Sequence, residues 1–193
     1  MLTALSKATS AVATLILIFV SLPAQAAAGP LDRHDEDLRT VPFVDVARYI
    51  GRWYQISRNP LPFEPLDCAC TQQTLGLQND GKVSVYNSCR DGGPNGDLRD
   101  IRGTATNDDT NTNARYTVDF GLPFTGQYWV IGLDADYRWA VVSDPDRRSL
   151  YILSKTTTLA DDLYQAAVAK AEEQISTRHL RRTSHEGCSY PEM

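Results

Sequence analysis

From residue 49 to residue 154 the chain alternates short apolar runs with clusters of turn residues. The cleanest run is 115–120. Tyr116, Val118 and Phe120 fall on one side, Arg115, Thr117 and Asp119 on the other, the period-two pattern of a half-buried strand. Residues 49–58 also read as extended, opened by Gly51. Alternation puts Trp53, Gln55 and Ser57 on one face and Tyr54 and Ile56 on the other. Both faces carry apolar groups, so this strand is expected to be covered on both sides. Gly51 is expected to let the backbone pass close beneath the Trp53 ring. Taken alone, Gly-x-Trp fits an ordinary half-buried strand with a core tryptophan better.

Six prolines, two Asp-Gly pairs and one Asn-Gly pair punctuate the remainder. Residues 68–78 and 82–90 form two strands joined by Asn79-Asp80-Gly81, a strong hairpin signal. Residues 97–106, 127–133, 138–143 and 149–154 supply further strands, with Asp134-Ala135-Asp136 and Asp144-Pro145-Asp146 as tight turns. Ahead of the first strand, Asp45 caps one helical turn over 46–50 that plugs a barrel end. Residues 59–67 hold three prolines and cannot be a central strand. They read as a loop with an exposed apolar tip, Leu61 and Phe63, either a rigid connector or a lip over an opening. After the last strand, Thr158 and Asp161 resemble a capping box. Leu159, Leu163, Ala167, Ala171 and Ile175 then recur every four residues as one apolar stripe. Eight strands joined by short turns predict an all-β fold: an eight-stranded up-and-down antiparallel β-barrel with a C-terminal α-helix packed outside. Such a barrel is just wide enough to be filled or to hold one small ligand.

Composition changes the picture at three points. The 193 residues suffice for one well-cored domain, and a hydrophobic content of 42% is ordinary for a soluble protein. A formal net charge of −5 without a basic run disfavours nucleic acid and anionic membranes as main partners. The N-terminus reads as a secretory signal peptide over residues 1–26. Lys7 precedes an apolar run at 11–20, too short to span a bilayer, and Ala24-Gln25-Ala26 gives the cleavage pattern, with Ala28 the second choice. No cysteine stands near that site to carry a lipid anchor. Cleavage leaves a charge of 18 − 24 = −6. Residues 27–40 are expected to be a flexible lead-in, and 41–193 the folded domain.

The four cysteines, Cys68, Cys70, Cys89 and Cys188, suit two disulfides in an exported chain. With Asn79-Asp80 as the turn centre, Cys70 falls opposite Cys89, which leaves Cys68 for Cys188. The swapped pairing, Cys68 with Cys89, needs a register shift of two and stays open. Cys68-x-Cys70 lacks metal-ligand spacing, and His34, His179 and His185 lie in polar flanks. No metal and no cofactor are expected.

Three stretches resemble the lipocalins, in the branch of bacterial outer-membrane lipocalins and apolipoprotein D. The first is Asp45-Val46-Ala47-Arg48-Tyr49-Ile50-Gly51-Arg52-Trp53-Tyr54, with Phe63-Glu64 after it. The second is Val130-Ile131-Gly132-Leu133-Asp134-Ala135-Asp136-Tyr137, and the third Tyr151-Ile152-Leu153-Ser154-Lys155-Thr156. The resemblance implies a barrel floor made by Gly51, Trp53 and Lys155. The family's arginine at the third motif is replaced by Lys155, which keeps a cation–π contact with Trp53 but loses planar stacking. The resemblance also implies a Cys68–Cys188 bridge.

No Gly-x-Ser-x-Gly, His-Glu-x-x-His or phosphate loop is present. Asp134 and Asp136 have the spacing of turn carboxylates rather than of an acid/base pair. The chain is therefore expected to be a non-enzymatic binder. The resemblance implies storage or transport of a small hydrophobic ligand, a fatty acid or lysophospholipid, in the cell envelope. It also implies a role in membrane maintenance under stress. Tyr116, Val118 and Phe120 are expected to line the cup, with Val85 and Asn87 on the opposite wall. The family's strand parity turns Tyr128 and Val130 inward. Tyr151 and Leu153 share the face of Lys155. Plain core packing accounts for each of them as well. The expected protein is a monomer or weak dimer, periplasmic or secreted, with peripheral membrane contact and no lipid anchor. Two other readings stay open: an isomerase or cyclase on the same scaffold, and a protein-interaction module with a filled barrel.

Overall fold

The computed structural model describes residues 37–62 and 64–190. The signal-peptide reading and Phe63 lie outside the described residues. Eight strands run in order: β1 (Gly51–Arg58), β2 (Ala69–Leu77), β3 (Val83–Arg90), β4 (Leu98–Asn107), β5 (Arg115–Asp119), β6 (Gly126–Leu133), β7 (Trp139–Ser143) and β8 (Leu150–Ser154). Each pairs antiparallel with its sequence neighbour, and β1 pairs with both β2 and β8. The sheet thus closes into the expected up-and-down barrel. Helix α1 (Val46–Tyr49) precedes it, and the Asp45 carboxylate accepts from the Ala47 and Arg48 amides as its cap.

Alternation sorts the strand residues into two cores. The inner one includes Trp53, Leu75, Val83, Val85, Ala105, Val118, Val130, Val142 and Leu153. The outer one forms beneath helix α2 (Asp161–Glu172), where Tyr164, Ala167 and Ala171 meet Ile131, Trp139, Val141, Leu150 and Ile152. Gly132 permits that close approach, since a Cβ there would stand 2.7 Å from Cγ of Lys170. The capping box does not form: α2 starts after Ala160 with no side-chain cap. Thr158 lies before the helix, and its carbonyl accepts from the Thr156 hydroxyl.

Three further expectations are corrected. The lead-in is docked from Leu38 onward, which is buried in the outer core, and the Gln174 side chain bonds both the amide and the carbonyl of Arg39. The β1 face pattern breaks at a bulge between Gln55 and Ser57. Ser57 therefore points outward, to the Tyr164 hydroxyl at 3.1 Å, while Gln55 and Arg58 share the inner face with their partners Leu153 and Tyr151. Finally, a ninth strand, β9 (Arg181–Arg182), pairs with Ser57 and Arg58. It stands where β1 has parted from β2, whose pairing ends at Tyr54 and Gln72.

The disulfides join Cys68 to Cys89 and Cys70 to Cys188, the swapped arrangement. The cause is a bulge rather than the turn alone. Gln78 and Lys82 close a turn of three residues, so Leu77 faces Val83 and the pairing runs one residue out of the expected register as far as Gln72 and Ser88. Beyond that point Ala69 faces Arg90, the expected register again. A bulge between Ala69 and Gln72 then places Cys70 in the left-handed region, φ 55°. Its amide donates to the Ser184 carbonyl and its sulfur meets the tail.

Candidate functional site

The closed end of the barrel is built from the three motifs. Trp53 is fully buried and donates its indole N–H to the Tyr49 carbonyl at 2.7 Å. The Lys155 ammonium sits 4.1 Å from the indole centroid and donates to the Tyr49 and Ile50 carbonyls. Lysine thus replaces arginine's stacking with a point charge held by two carbonyls. Gly51 serves by its φ of +95°, not by passing beneath the ring: a Cβ there would meet only the Lys155 ammonium, at 3.9 Å. Tyr137, itself at φ 61°, accepts the Asp45 amide on its hydroxyl and carries Arg48 over its ring, locking α1 across the end. Asp134 accepts from the Asp136 and Arg138 amides and pairs with the Arg138 guanidinium. Those bonds hold its carboxyl below the usual range and leave it a turn residue.

Partial burial lowers the Lys155 ammonium from 10.5 to about 8. Between those values the unfolded chain binds more protons, so stability through this group rises as pH climbs from about 8 to about 10.5. Lys155→Met is expected to abolish that rise. Urea titrations of both proteins at pH 8 and pH 10 check it.

Above the floor lies a blind cavity of about 30 Å3 with an almost wholly apolar wall. Val44, Leu75, Val85, Tyr116, Val118 and Tyr128 contribute to it. The Tyr49 hydroxyl bonds that of Tyr128 at 2.8 Å, and Tyr128 donates onward to Gln73 at 3.0 Å. Burial pushes both tyrosines well above the usual phenol range, so they stay neutral donors. Of the residues expected to line the cup, Val85, Val118, Val130 and Leu153 are in the inner core, and Tyr116, Phe120, Tyr128 and Tyr151 pack against it. Asn87 lies on the same face of β3 as Val85, and its buried Oδ1 has no hydrogen-bond partner among the described residues. Gln73 and Leu75 also line the cavity; alternation along β2 carried that signal. Arg58 escaped it because the bulge after Gln55 flips its face, whereas Gln55 stays on the face of Trp53.

At the open end Arg58 is 3% exposed and paired with Glu64 at 2.8 Å. Leu61, expected at an exposed tip, is half-buried and bridges Glu64. Among the described residues no group of three His, Cys, Asp or Glu could hold a metal ion, and no helix is long and apolar enough to cross a membrane.

A family profile described as a lipocalin-like domain matches residues 44–185. The chain belongs to the lipocalin family. It is 34% identical over 147 residues to temperature-induced lipocalin-1 of Arabidopsis thaliana, covering 72% of this chain and 77% of that one. It is 38% identical over 133 residues to outer membrane lipoprotein Blc of Escherichia coli K12, covering 67% and 72%. Among solved structures, insecticyanin from the tobacco hornworm Manduca sexta superposes with a TM-score of 0.63 at 23% identity, covering 80% of this lipocalin and 89% of insecticyanin, a likeness of fold. Lipocalins bind small hydrophobic ligands.

Proposed function

We propose that this lipocalin binds and stores or carries a single-chain lipid, a fatty acid or lysophospholipid, in the cell envelope. Membrane maintenance under stress is the setting we infer, in keeping with the names of its outer-membrane and temperature-induced relatives. The observation that carries the reading is the apolar blind cavity inside a closed barrel. Each buried CH2 contributes about 0.8 kcal/mol, so a chain of a dozen would gain several kcal/mol after ordering costs. The signal-like N-terminus and two disulfides support export.

The void takes only about one or two water-sized groups. A full acyl chain therefore requires the partly exposed Tyr116, Phe120, Tyr128 and Tyr151 side chains to swing aside. These four, with Val85, Asn87, Val118, Val130 and Leu153, are the proposed wall. The same narrowness favours a second reading, an interaction module whose barrel is filled by its own side chains. Native mass spectrometry after mild extraction separates the two. A co-purified lipid mass, or uptake of added tetradecanoate, is expected. A bare chain mass that tetradecanoate does not shift would leave the filled barrel.

A further inference from the structure

The mouth of the barrel holds a carboxylate site that the protein fills itself. Glu64 Oε1 lies 2.8 Å from Arg58 Nε and accepts from Gln55 Nε2 at 2.9 Å. Both donors are nearly inaccessible, Arg58 at 3% and Gln55 at 4%. The guanidinium also donates to the Asn59, Glu64 and Pro65 carbonyls, and Gln55 to the Thr183 hydroxyl, so the donor set is braced from two loops. Such a pair is a poor device for stability alone, because desolvation offsets most of its attraction. Its position is what sets it apart. The cross-strand partners of Gln55 and Arg58 are Leu153 and Tyr151, both facing the barrel interior.

Arg58 stands five residues beyond Trp53 on β1, one of them taken up by the bulge, which leaves about 13 Å at a strand's rise. That is the length scale of an extended acyl chain of medium length running from mouth to floor. The apolar cavity lies toward the Trp53 end and the only charge pair described on the inner face at the mouth. An amphiphile with an anionic head and an apolar tail has the same polarity.

We propose that Arg58 is the head-group receptor of this barrel, selecting an anionic single-chain amphiphile whose carboxylate or phosphate takes the place of Glu64. Gln55 is the second donor. The inference rests on the lipid-binding reading and adds to it the sign of the head group and the residue that reads it.

The test is displacement of the neutral probe N-phenyl-1-naphthylamine by tetradecanoate, tetradecanoyl lysophosphatidylglycerol and tetradecanol. The wild type should prefer the better anion over the alcohol by about tenfold or more, the worth of one charge-assisted hydrogen bond. Which anion wins tells a carboxylate ligand from a phosphate one. In Arg58→Gln the preference should fall to within about twofold with alcohol binding retained. In Glu64→Gln, which removes the internal competitor, anion affinity should rise severalfold while alcohol affinity holds. Equal binding of acid and alcohol by the wild type overturns the inference and leaves lipid binding standing. A preference that survives Arg58→Gln overturns it as well. Should Arg58→Gln not fold, as circular dichroism would show, the Glu64→Gln result decides, and an unchanged or weakened anion affinity counts against the proposal. Failure of all three compounds to bind removes both readings together.

Discussion

Replacing Trp53 by alanine is expected to destabilise the barrel by about 3–5 kcal/mol, the range for deleting a large buried aromatic. Three separate contacts disappear with the indole. Its ring leaves a hole where no surface was exposed. Its tilted contact with the Tyr49 ring, 4.9 Å between centroids, is lost. Lys155 keeps its carbonyl acceptors but loses the ring beneath it, a cation–π contact worth roughly 0.5–2 kcal/mol. Trp53→Phe separates these effects. It keeps a ring and most of the volume but leaves the Tyr49 carbonyl without the indole donor, so about 1–2 kcal/mol should be lost. Urea unfolding followed by far-ultraviolet circular dichroism measures both. A Trp53→Ala loss below that of Trp53→Phe would show that the floor carries little of the fold's stability.

Removing the Cys70–Cys188 bridge should be the second large effect. It closes a loop with a sequence separation of 118, against 21 for Cys68–Cys89. Chain-entropy scaling gives about 4–5 kcal/mol for the long loop and about 3 for the short one. The double variant Cys70→Ser/Cys188→Ser should melt on the order of 10 °C lower, at about 2–4 °C per kcal/mol for a domain of this size. Cys68→Ala/Cys89→Ala should lose less. The long-loop variant should also lose hydrogen-exchange protection at the Cys70 and Thr183 amides, which bond Ser184 and Ile56. Scanning calorimetry of the two double variants gives the comparison, and the reverse order would refute the loop-length argument.

The strands could be read from the chain because their evidence is local. Tyr116, Val118 and Phe120 alternate with polar residues, and the turns carry Gly, Asn and Asp where the backbone needs them. The closed-end contacts were legible too, since Trp53 and Lys155 sit in recognisable motifs. Register was not. One extra turn residue between Gln78 and Lys82 moved the facing pairs from Leu77 to Gln72 by one, and a bulge before Ala69 undid the slip while turning Cys70 out of the ladder toward the tail. The bulge after Gln55 carries no composition signal, so nothing in the alternation marked Arg58 as a residue of the inner face. The tail strand was hidden for a related reason. Arg181 and Arg182 are exposed and lack alternation, and they pair only because β1 and β2 have already separated. Cavity size depends on rotamers of several aromatic side chains, which no pattern encodes.

The position of β9 bears on the order of assembly. The first strand needs three partners: its neighbour β2, then β8 about a hundred residues later, then the tail. Until β8 and the tail have both joined β1, the borders of the growing sheet present unpaired amides and carbonyls, the kind of edge that invites joining with another molecule. The chain is thus most vulnerable to aggregation before that long-range seam closes, and β9 is the piece that covers what β2 leaves bare.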